Sequence, residues 1–245
     1  MNIAVYGWGQ MGKLLCDTID KSTNLNLTGI IDAFSAGKDP RIVETLEDLT
    51  VVPDVLIDFS HYSNSEKILP WITARSVPTL IATTGHSEEE LEKIKKASQV
   101  VPILKATNTS LGINLITELL ETLVSSLEDW DIELIEKHHN KKIDAPSGTA
   151  QSLLEKINNT LSSKRELIYG REGISPRKKD EIGVHVVRGG SIVGEHSVIF
   201  AGEDEVIEIK HEAHSKMIFV NGALKGATWL YNQNPGLYTM KDIFN

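Results

Sequence analysis

Asn2-Ile3-Ala4-Val5-Tyr6-Gly7-Trp8-Gly9-Gln10-Met11-Gly12 opens with five residues of strand character and runs into a glycine-rich turn. Met11, Leu14, Leu15 and Ile19 then recur at helical spacing. Strand, turn and helix in that order, with glycines in the pattern G-x-G-x-x-G, carry a specific physical meaning. The first glycine permits a tight turn, the second lets a pyrophosphate approach the backbone, and the third lets the helix pack closely on the strand. The N–H groups that begin the helix face the anion. Gly7, Trp8, Gly9, Gln10, Met11 and Gly12 are therefore expected to bind a dinucleotide. A plain strand–turn–helix corner is the alternative. Asp32 lies twenty residues beyond Gly12, where an acid accepts hydrogen bonds from ribose hydroxyls. It favours NADH and repels a 2′-phosphate. Lys38 and Arg41 follow, either to offset that repulsion for NADPH or as solvated loop charges. The expected cofactor is NADH or NADPH.

Outward from that turn, strands alternate with helices. Segments 25–31, 54–59, 78–82 and 100–104 read as strands. Ser63-Asn64-Ser65 are plausible helix caps, and Ser87-Glu88-Glu89-Glu90 opens a helix with a cap and an acidic first turn. Such alternation implies right-handed βαβ units and a parallel sheet. Ligands bind outside the carboxyl ends of strands in this arrangement. Ala82-Thr83-Thr84 and Ala106-Thr107-Asn108-Thr109 follow two of the strands, so they are candidates for the nicotinamide half. Ordinary βα turns are the plainer reading.

The composition agrees with a folded protein. Of 245 residues, 40% are apolar, 24% charged and 6% aromatic, which argues against a disordered or fibrous chain. The 34 acidic and 25 basic residues give a net charge of −9, which works against general nucleic-acid binding. No apolar stretch approaches the roughly 20 residues of a membrane helix, so no membrane partner is expected. There is no secretory pattern at the start. A single cysteine, Cys16, forms no internal disulfide. The cytoplasm is the expected compartment.

The pattern changes near Asn108. Segment 111–127 reads as a long amphipathic helix, 131–138 as a strand and 147–157 as a helix. Residues 160–181 are polar and read as loop-rich. Segments 182–188, 192–200 and 206–211 alternate as strands, with Gly189-Gly190 as a hairpin signal between the first two. Closely spaced strands suggest a mixed or antiparallel sheet. Segment 217–231 reads as a final helix.

Glu136-Lys137-His138-His139-Asn140-Lys141-Lys142-Ile143-Asp144-Ala145-Pro146-Ser147-Gly148-Thr149-Ala150 is the most informative stretch. A strand delivers two histidines and two lysines into a loop, and Pro146 and Ser147 open a helix. Backbone N–H groups and the Thr149 hydroxyl at such a start suit a carboxylate. The imidazoles and ammonium groups add positive charge and an available proton. The alternative is a solvated charge run. Metal binding is not expected, since the histidines lack H-E-x-x-H order.

The same stretch resembles the E-x-H-H-x-x-K-x-D-A-P-S-G-T-A signature of the dihydrodipicolinate reductase family. Ala82-Thr83-Thr84-Gly85, Asn108-Thr109-Ser110-Leu111-Gly112, Arg188-Gly189-Gly190, Val193-Gly194-Glu195-His196 and Phe219-Val220-Asn221-Gly222-Ala223 resemble further family motifs in family order. The resemblance implies a Rossmann-type doubly wound parallel sheet domain from residues 1–107 and 217–245. It also implies an α+β substrate and oligomerisation domain with a mixed sheet from 108–216, and a homotetramer. The implied reaction is hydride transfer from a nicotinamide to a cyclic dicarboxylate in lysine and diaminopimelate biosynthesis. By position, His138 and Lys142 resemble the proton-donor pair, and His139, Gly148 and Thr149 the substrate carboxylate binders. The family loop usually reads G-x-x-G-R-M-G; here it is one residue shorter, with Gln10 in place of the arginine. Ala33 follows Asp32 where many members carry an arginine for the 2′-phosphate. Two other readings are an NAD(P)-dependent oxidoreductase of another small amino or keto acid, and a dinucleotide-sensing binding protein.

Overall fold

Near-continuous apolar strands such as Ile3-Ala4-Val5 and Val55-Leu56-Ile57 call for cover on both faces of their sheet. The computed structural model, which describes residues 1–244, provides it. In chain order the first segment holds β1 (Asn2–Tyr6), α1 (Gln10–Asp20), β2 (Asn26–Ile31), β3 (Ile42–Val43), β4 (Val55–Asp58), α2 (Ser65–Arg75), β5 (Thr79–Ile81), α3 (Glu88–Ala97) and β6 (Pro102–Lys105). There follow α4 (Leu111–Ser126), β7 (Asp131–His138), α5 (Gly148–Thr160), β8 (Glu166–Tyr169), β9 (Glu181–Arg188), β10 (Gly194–Ala201) and β11 (Val206–Ala213). Last come α6 (Met217–Leu230) and β12 (Gly236–Tyr238). The chain divides into two compact units. One joins Met1–Leu111 to the segment from Met217 onward, and the other is Gly112–Lys216.

In the first unit, seven strands pair in the order β12-β6-β5-β4-β1-β2-β3, every pair parallel. The strand order reverses between β1 and β4, which is where a doubly wound sheet opens a crevice for ligands. Alternate residues serve opposite faces. Ile3 and Val5 join Leu15 and Ile19 of α1 and Val220, Ala223, Ala227 and Leu230 of α6. Ala4 and Tyr6 join Ile68 and Ile72 of α2 and Ile94 of α3. Ser87 caps α3 as its sequence predicts: its hydroxyl accepts from the Glu90 N–H at 3.3 Å, and the Glu90 carboxylate accepts from the Ser87 N–H at 2.7 Å. Asn64, expected as a cap for α2, makes no side-chain capping bond. The short strands β3 and β12 carry too few residues to show a period.

The second unit is a mixed sheet in the order β11-β10-β7-β9-β8. β7 lies at its centre, antiparallel to β10 and parallel to β9. Leu120 and Val124 of α4 and Leu153, Leu154 and Ile157 of α5 cover Ile132, Leu134, Val184, Val198 and Phe200. One expectation is corrected. The Gly189-Gly190 turn joins no hairpin, because β7 is inserted between β9 and β10. The turn instead serves the loop after β7: Gly189 N–H donates to the His138 carbonyl at 2.9 Å and Asn140 N–H to the Gly190 carbonyl at 3.2 Å. The polar segment 160–181 is loop-rich with one strand in it, the edge strand β8, paired with β9.

Candidate functional site

The three glycines of the first turn differ physically. Gly7 has φ +96°, and a Cβ there would press to 2.9 Å on the Phe59 carbonyl oxygen and on Ser60 Cα. A Cβ on Gly12 would overlap the carbonyl oxygen of Gly7, so this glycine lets α1 lie against the turn. Gly9 has nothing within 4 Å of that position and is open to a ligand. Trp8 N–H donates to Asp32 Oδ2 at 2.8 Å. The other carboxylate oxygen, Asp32 Oδ1, is buried without a partner, an acceptor left for a hydroxyl. The open backbone at Gly9 and that oxygen both fit a dinucleotide. Arg41 forms ion pairs with Asp20 at 2.7 Å and Asp39 at 2.9 Å, while Lys38 is exposed. Lys13 Nζ lies 4.4 Å above the Trp8 ring. Gln10 and Met11 begin α1.

The turns after β5 and β6 end at the same edge of the sheet as the glycine turn. Ala82 is half-buried and Thr84 exposed, whereas Thr83 is buried. Thr83 hydroxyl stands 3.4 Å from Asp58 Oδ2, and the Thr83 carbonyl accepts from Lys105 Nζ at 2.6 Å. Ala106 is buried and Thr107 exposed. Asn108 Oδ1 accepts from Ser110 N–H at 2.8 Å, and the Thr109 hydroxyl donates to the Phe219 carbonyl at 2.8 Å.

In the second unit the period of β7 puts Glu136 and His138 on one face. Glu136 is fully buried. Its Oε2 lies 2.6 Å from His138 Nδ1, and Arg188 grips both carboxylate oxygens at 2.7 and 2.8 Å. Ser147 N–H donates to Glu136 Oε1 at 2.8 Å. Burial alone would raise this carboxyl, but the bonds from Arg188, His138 and Ser147 outweigh it and hold it below the usual range. An ionised carboxylate only accepts, so His138 donates to it through Nδ1, which leaves Nε2 as the other ring nitrogen. Gly194 leaves room there: a Cβ at that residue would come within 3.0 Å of Nε2.

The network continues to the second candidate donor. Arg188 Nη2 donates to the Asp144 carbonyl at 2.6 Å, and Lys142 Nζ pairs with Asp144 Oδ1 at 2.8 Å. Ser147 is the N-cap of α5, accepting from Ala150 N–H at 3.2 Å. Its hydroxyl also meets His196 Nε2 at 2.9 Å. Burial, with the His138 ring 5.2 Å away, pushes His196 down to about 4. Gly148 opens α5 with nothing within 4 Å of a Cβ position, and Thr149 follows it. His139 Nδ1 is buried without a partner. Among the described residues no cluster of three or more His, Cys, Asp or Glu is arranged to hold a metal ion, and no helix is long and apolar enough to cross a membrane.

Sequence reasoning assigned no role to Glu136, Arg188, Asp58 or Lys105. For Glu136 the signal was present, since strand alternation places it beside His138. Arg188 comes from a strand 52 positions away, and local spacing does not reveal such a partner.

Known proteins resemble this chain in sequence and in fold. The family profiles described as dihydrodipicolinate reductase, N-terminus and C-terminus, match residues 1–109 and 112–244. A 4-hydroxy-tetrahydrodipicolinate reductase of Brachyspira hyodysenteriae is 44% identical over 99% of both chains. One of Caldanaerobacter subterraneus subsp. tengcongensis is 44% identical over 96% of this chain and 94% of its own. The dipicolinate-bound dihydrodipicolinate reductase of Paenisporosarcina sp. TG-14 superposes with a TM-score of 0.83 at 23% identity, covering 98% of this chain and 97% of its own. The chain with the buried Glu136–Arg188 pair and the capped start of α5 belongs to the dihydrodipicolinate reductase, or 4-hydroxy-tetrahydrodipicolinate reductase, family.

Proposed function

We propose that His138 gives the proton and that Lys142, His139 and the start of α5 hold the substrate in the family's reaction. The chain is an NAD(P)H-dependent oxidoreductase that reduces 4-hydroxy-tetrahydrodipicolinate to tetrahydrodipicolinate in lysine and diaminopimelate biosynthesis. Reduced nicotinamide, when bound, supplies a hydride. Gly7, Trp8, Gly9, Gln10, Met11 and Gly12 hold its pyrophosphate side and Asp32 its ribose. Ala82, Thr83, Thr84, Ala106, Thr107, Asn108 and Thr109 border its nicotinamide side. With Arg41 committed to Asp20 and Asp39, Lys38 and Lys13 are left to face a 2′-phosphate that Asp32 repels, so NADH is the preferred form.

The observation that carries the assignment is the bonded chain His138–Glu136–Arg188–Asp144–Lys142. One substrate carboxylate meets the N–H groups at Gly148 and Thr149, where the helix dipole favours an anion. His139 and Lys142 add positive charge. Loss of the C4 hydroxyl with a ring hydrogen, as water, would leave a conjugated ring; hydride added at C4 would then place an electron pair on that ring, and a proton taken up at His138 Nε2 would be passed to the adjacent ring carbon. Glu136 keeps the imidazole ring oriented through its bond to Nδ1. Arg188 in turn keeps Glu136 ionised in a buried place, where a carboxylate alone would take up a proton.

The test generates the substrate in situ and follows absorbance loss with NADH and NADPH separately. Oxidation should depend on substrate, with the larger kcat/KM for NADH. His138→Gln should lower kcat by about 10²–10⁴-fold, and Glu136→Gln should lower kcat with little change in KM. Lys142→Ala should raise KM as well. Near-normal turnover in both His138→Gln and Lys142→Ala would sink the assignment. The same reading makes the protein a cytoplasmic homotetramer. Light scattering should return about four times the 27.1 kDa chain mass.

A further inference from the structure

Three strand ends at the edge of the first unit are tied together by buried and half-buried polar groups that the reaction does not use. Asp58 ends β4 and is fully buried. Its Oδ1 accepts from the Ser60 N–H at 2.9 Å and the Ser60 hydroxyl at 2.6 Å, and its Oδ2 faces the Thr83 hydroxyl at 3.4 Å. Lys105 ends β6, and its Nζ donates to the Thr83 carbonyl at 2.6 Å. His86 Nε2 lies 2.9 Å from the Ser65 hydroxyl and 3.4 Å from that of Thr83. Thr83 thus stands between a carboxylate and an ammonium group, its hydroxyl turned to one and its carbonyl to the other. The turn it belongs to contains Gly85 at φ +90°, where a Cβ would meet the Tyr62 ring at 3.3 Å.

This arrangement is costly. Burial of an ionised carboxylate and a lysine without a direct ion pair disfavours both charges. It pushes Asp58 up to about 6 and Lys105 below its usual value, each charge partly relieving the other. A well-packed apolar set would hold three parallel strands as firmly. What the charges add is a fixed orientation of one backbone carbonyl and one hydroxyl, at the strand ends beside the switch point of the sheet.

We propose that Asp58 and Lys105 are positioning residues that fix turn 82–86, through Thr83, in the form that receives the nicotinamide half of the cofactor. The proposal rests on the cofactor assignment above. Both residues act through Thr83, the group each of them contacts. Thr83 is buried and its side chain is engaged on the inside, so its contribution to the site is the path of the backbone that carries Ala82 and Thr84. When Asp58 takes up a proton, the half-buried Lys105 loses its counter-charge and turns to solvent, and the Thr83 carbonyl is released. The polar groups facing Asp58 are Ser60, Thr83, Lys105 and the Tyr6 phenol, and His86 faces Thr83 from the far side.

The test is made on the full-length protein with NADH and with ADP-ribose, which lacks the nicotinamide ring, by calorimetry rather than turnover. Lys105→Met should raise the Kd for NADH about tenfold, in the range of a lost charge-assisted hydrogen bond, and leave that for ADP-ribose within about twofold. Asp58→Asn should do likewise, and the double variant should be no worse than either single one, as expected for members of one network. In the wild type NADH affinity should fall as the pH drops through about 6. That inflection should vanish in Asp58→Asn and persist in His86→Asn. If Asp58→Asn does not fold, Thr83→Val, which keeps the carbonyl and loses the hydroxyl, takes its place with the same expected split. Unchanged NADH binding, or equal weakening toward both ligands, overturns the proposal. Equal wild-type affinity for NADH and ADP-ribose would overturn the cofactor assignment itself, and is distinguished by appearing before any substitution is made.

Discussion

At His196 burial and the neighbouring His138 oppose protonation strongly enough to push the ring down to about 4. The unfolded chain binds that proton near pH 6.5. Native stability from this group is therefore full above about 6.5 and is lost as the pH falls toward 4, by up to about 3 kcal/mol. Asp58 acts with the opposite sign. Its folded value is raised to about 6, so its contribution is full in acid and lost as the pH rises through 6. Urea unfolding of the wild type and of His196→Asn at pH 7, 5.5 and 4.5 isolates the histidine, since Asp58 is common to both. The variant should lose less stability on acidification; parallel curves would refute this. Residues of this kind are partly legible in sequence. His138 and Lys142 stand out by type and spacing. Glu136 is visible only once 131–138 is taken as a strand, and Arg188 only once β9 is known to lie beside β7.

The glycine turn shows how far one element can be read before it is seen. Its pattern assigns three roles to three glycines, and the structure gives each a measurable counterpart. Gly12→Ala drives a methyl into the Gly7 carbonyl and should lower the melting temperature as well as dinucleotide affinity. Gly9→Ala meets nothing in the fold and should weaken dinucleotide binding with the melting temperature nearly unchanged. Calorimetric melts and titrations of the two variants check this. The β9–β10 connection failed as a reading for an equally physical reason. A Gly-Gly pair reports that the chain can reverse there, but not which strand lies alongside afterward. β7, β9 and β10 all bury one face on α4 and α5, so the alternation that fixes register fits several strand orders. Parallel pairing of β7 with β9 is a choice of the assembled sheet.

On the scale of the whole molecule, the most distant contact is the return of the chain's end to its beginning. α6 contributes Val220, Ala223, Ala227 and Leu230, all fully buried, to the core beside β1, β4, β5 and β6, and β12 pairs with β6. Periodicity announces α6 as a helix, but its destination is a matter of resemblance, because an apolar stripe does not say which sheet it covers. A chain stopped after Lys216 should lose ADP-ribose binding and the cooperative melt of the first unit. It should retain the β-rich circular dichroism of the second, whose core draws on residues 116–207 alone.

Translation meets this architecture in an awkward order. The ribosome delivers β1 to β6 first, yet the face of their sheet that α1 and α6 share stays only partly covered until the final segment emerges. The inserted unit, contiguous in the message, closes its own core earlier. The part of the protein made first is thus finished last, and during that interval its uncovered isoleucines and leucines are the natural hold for a chaperone.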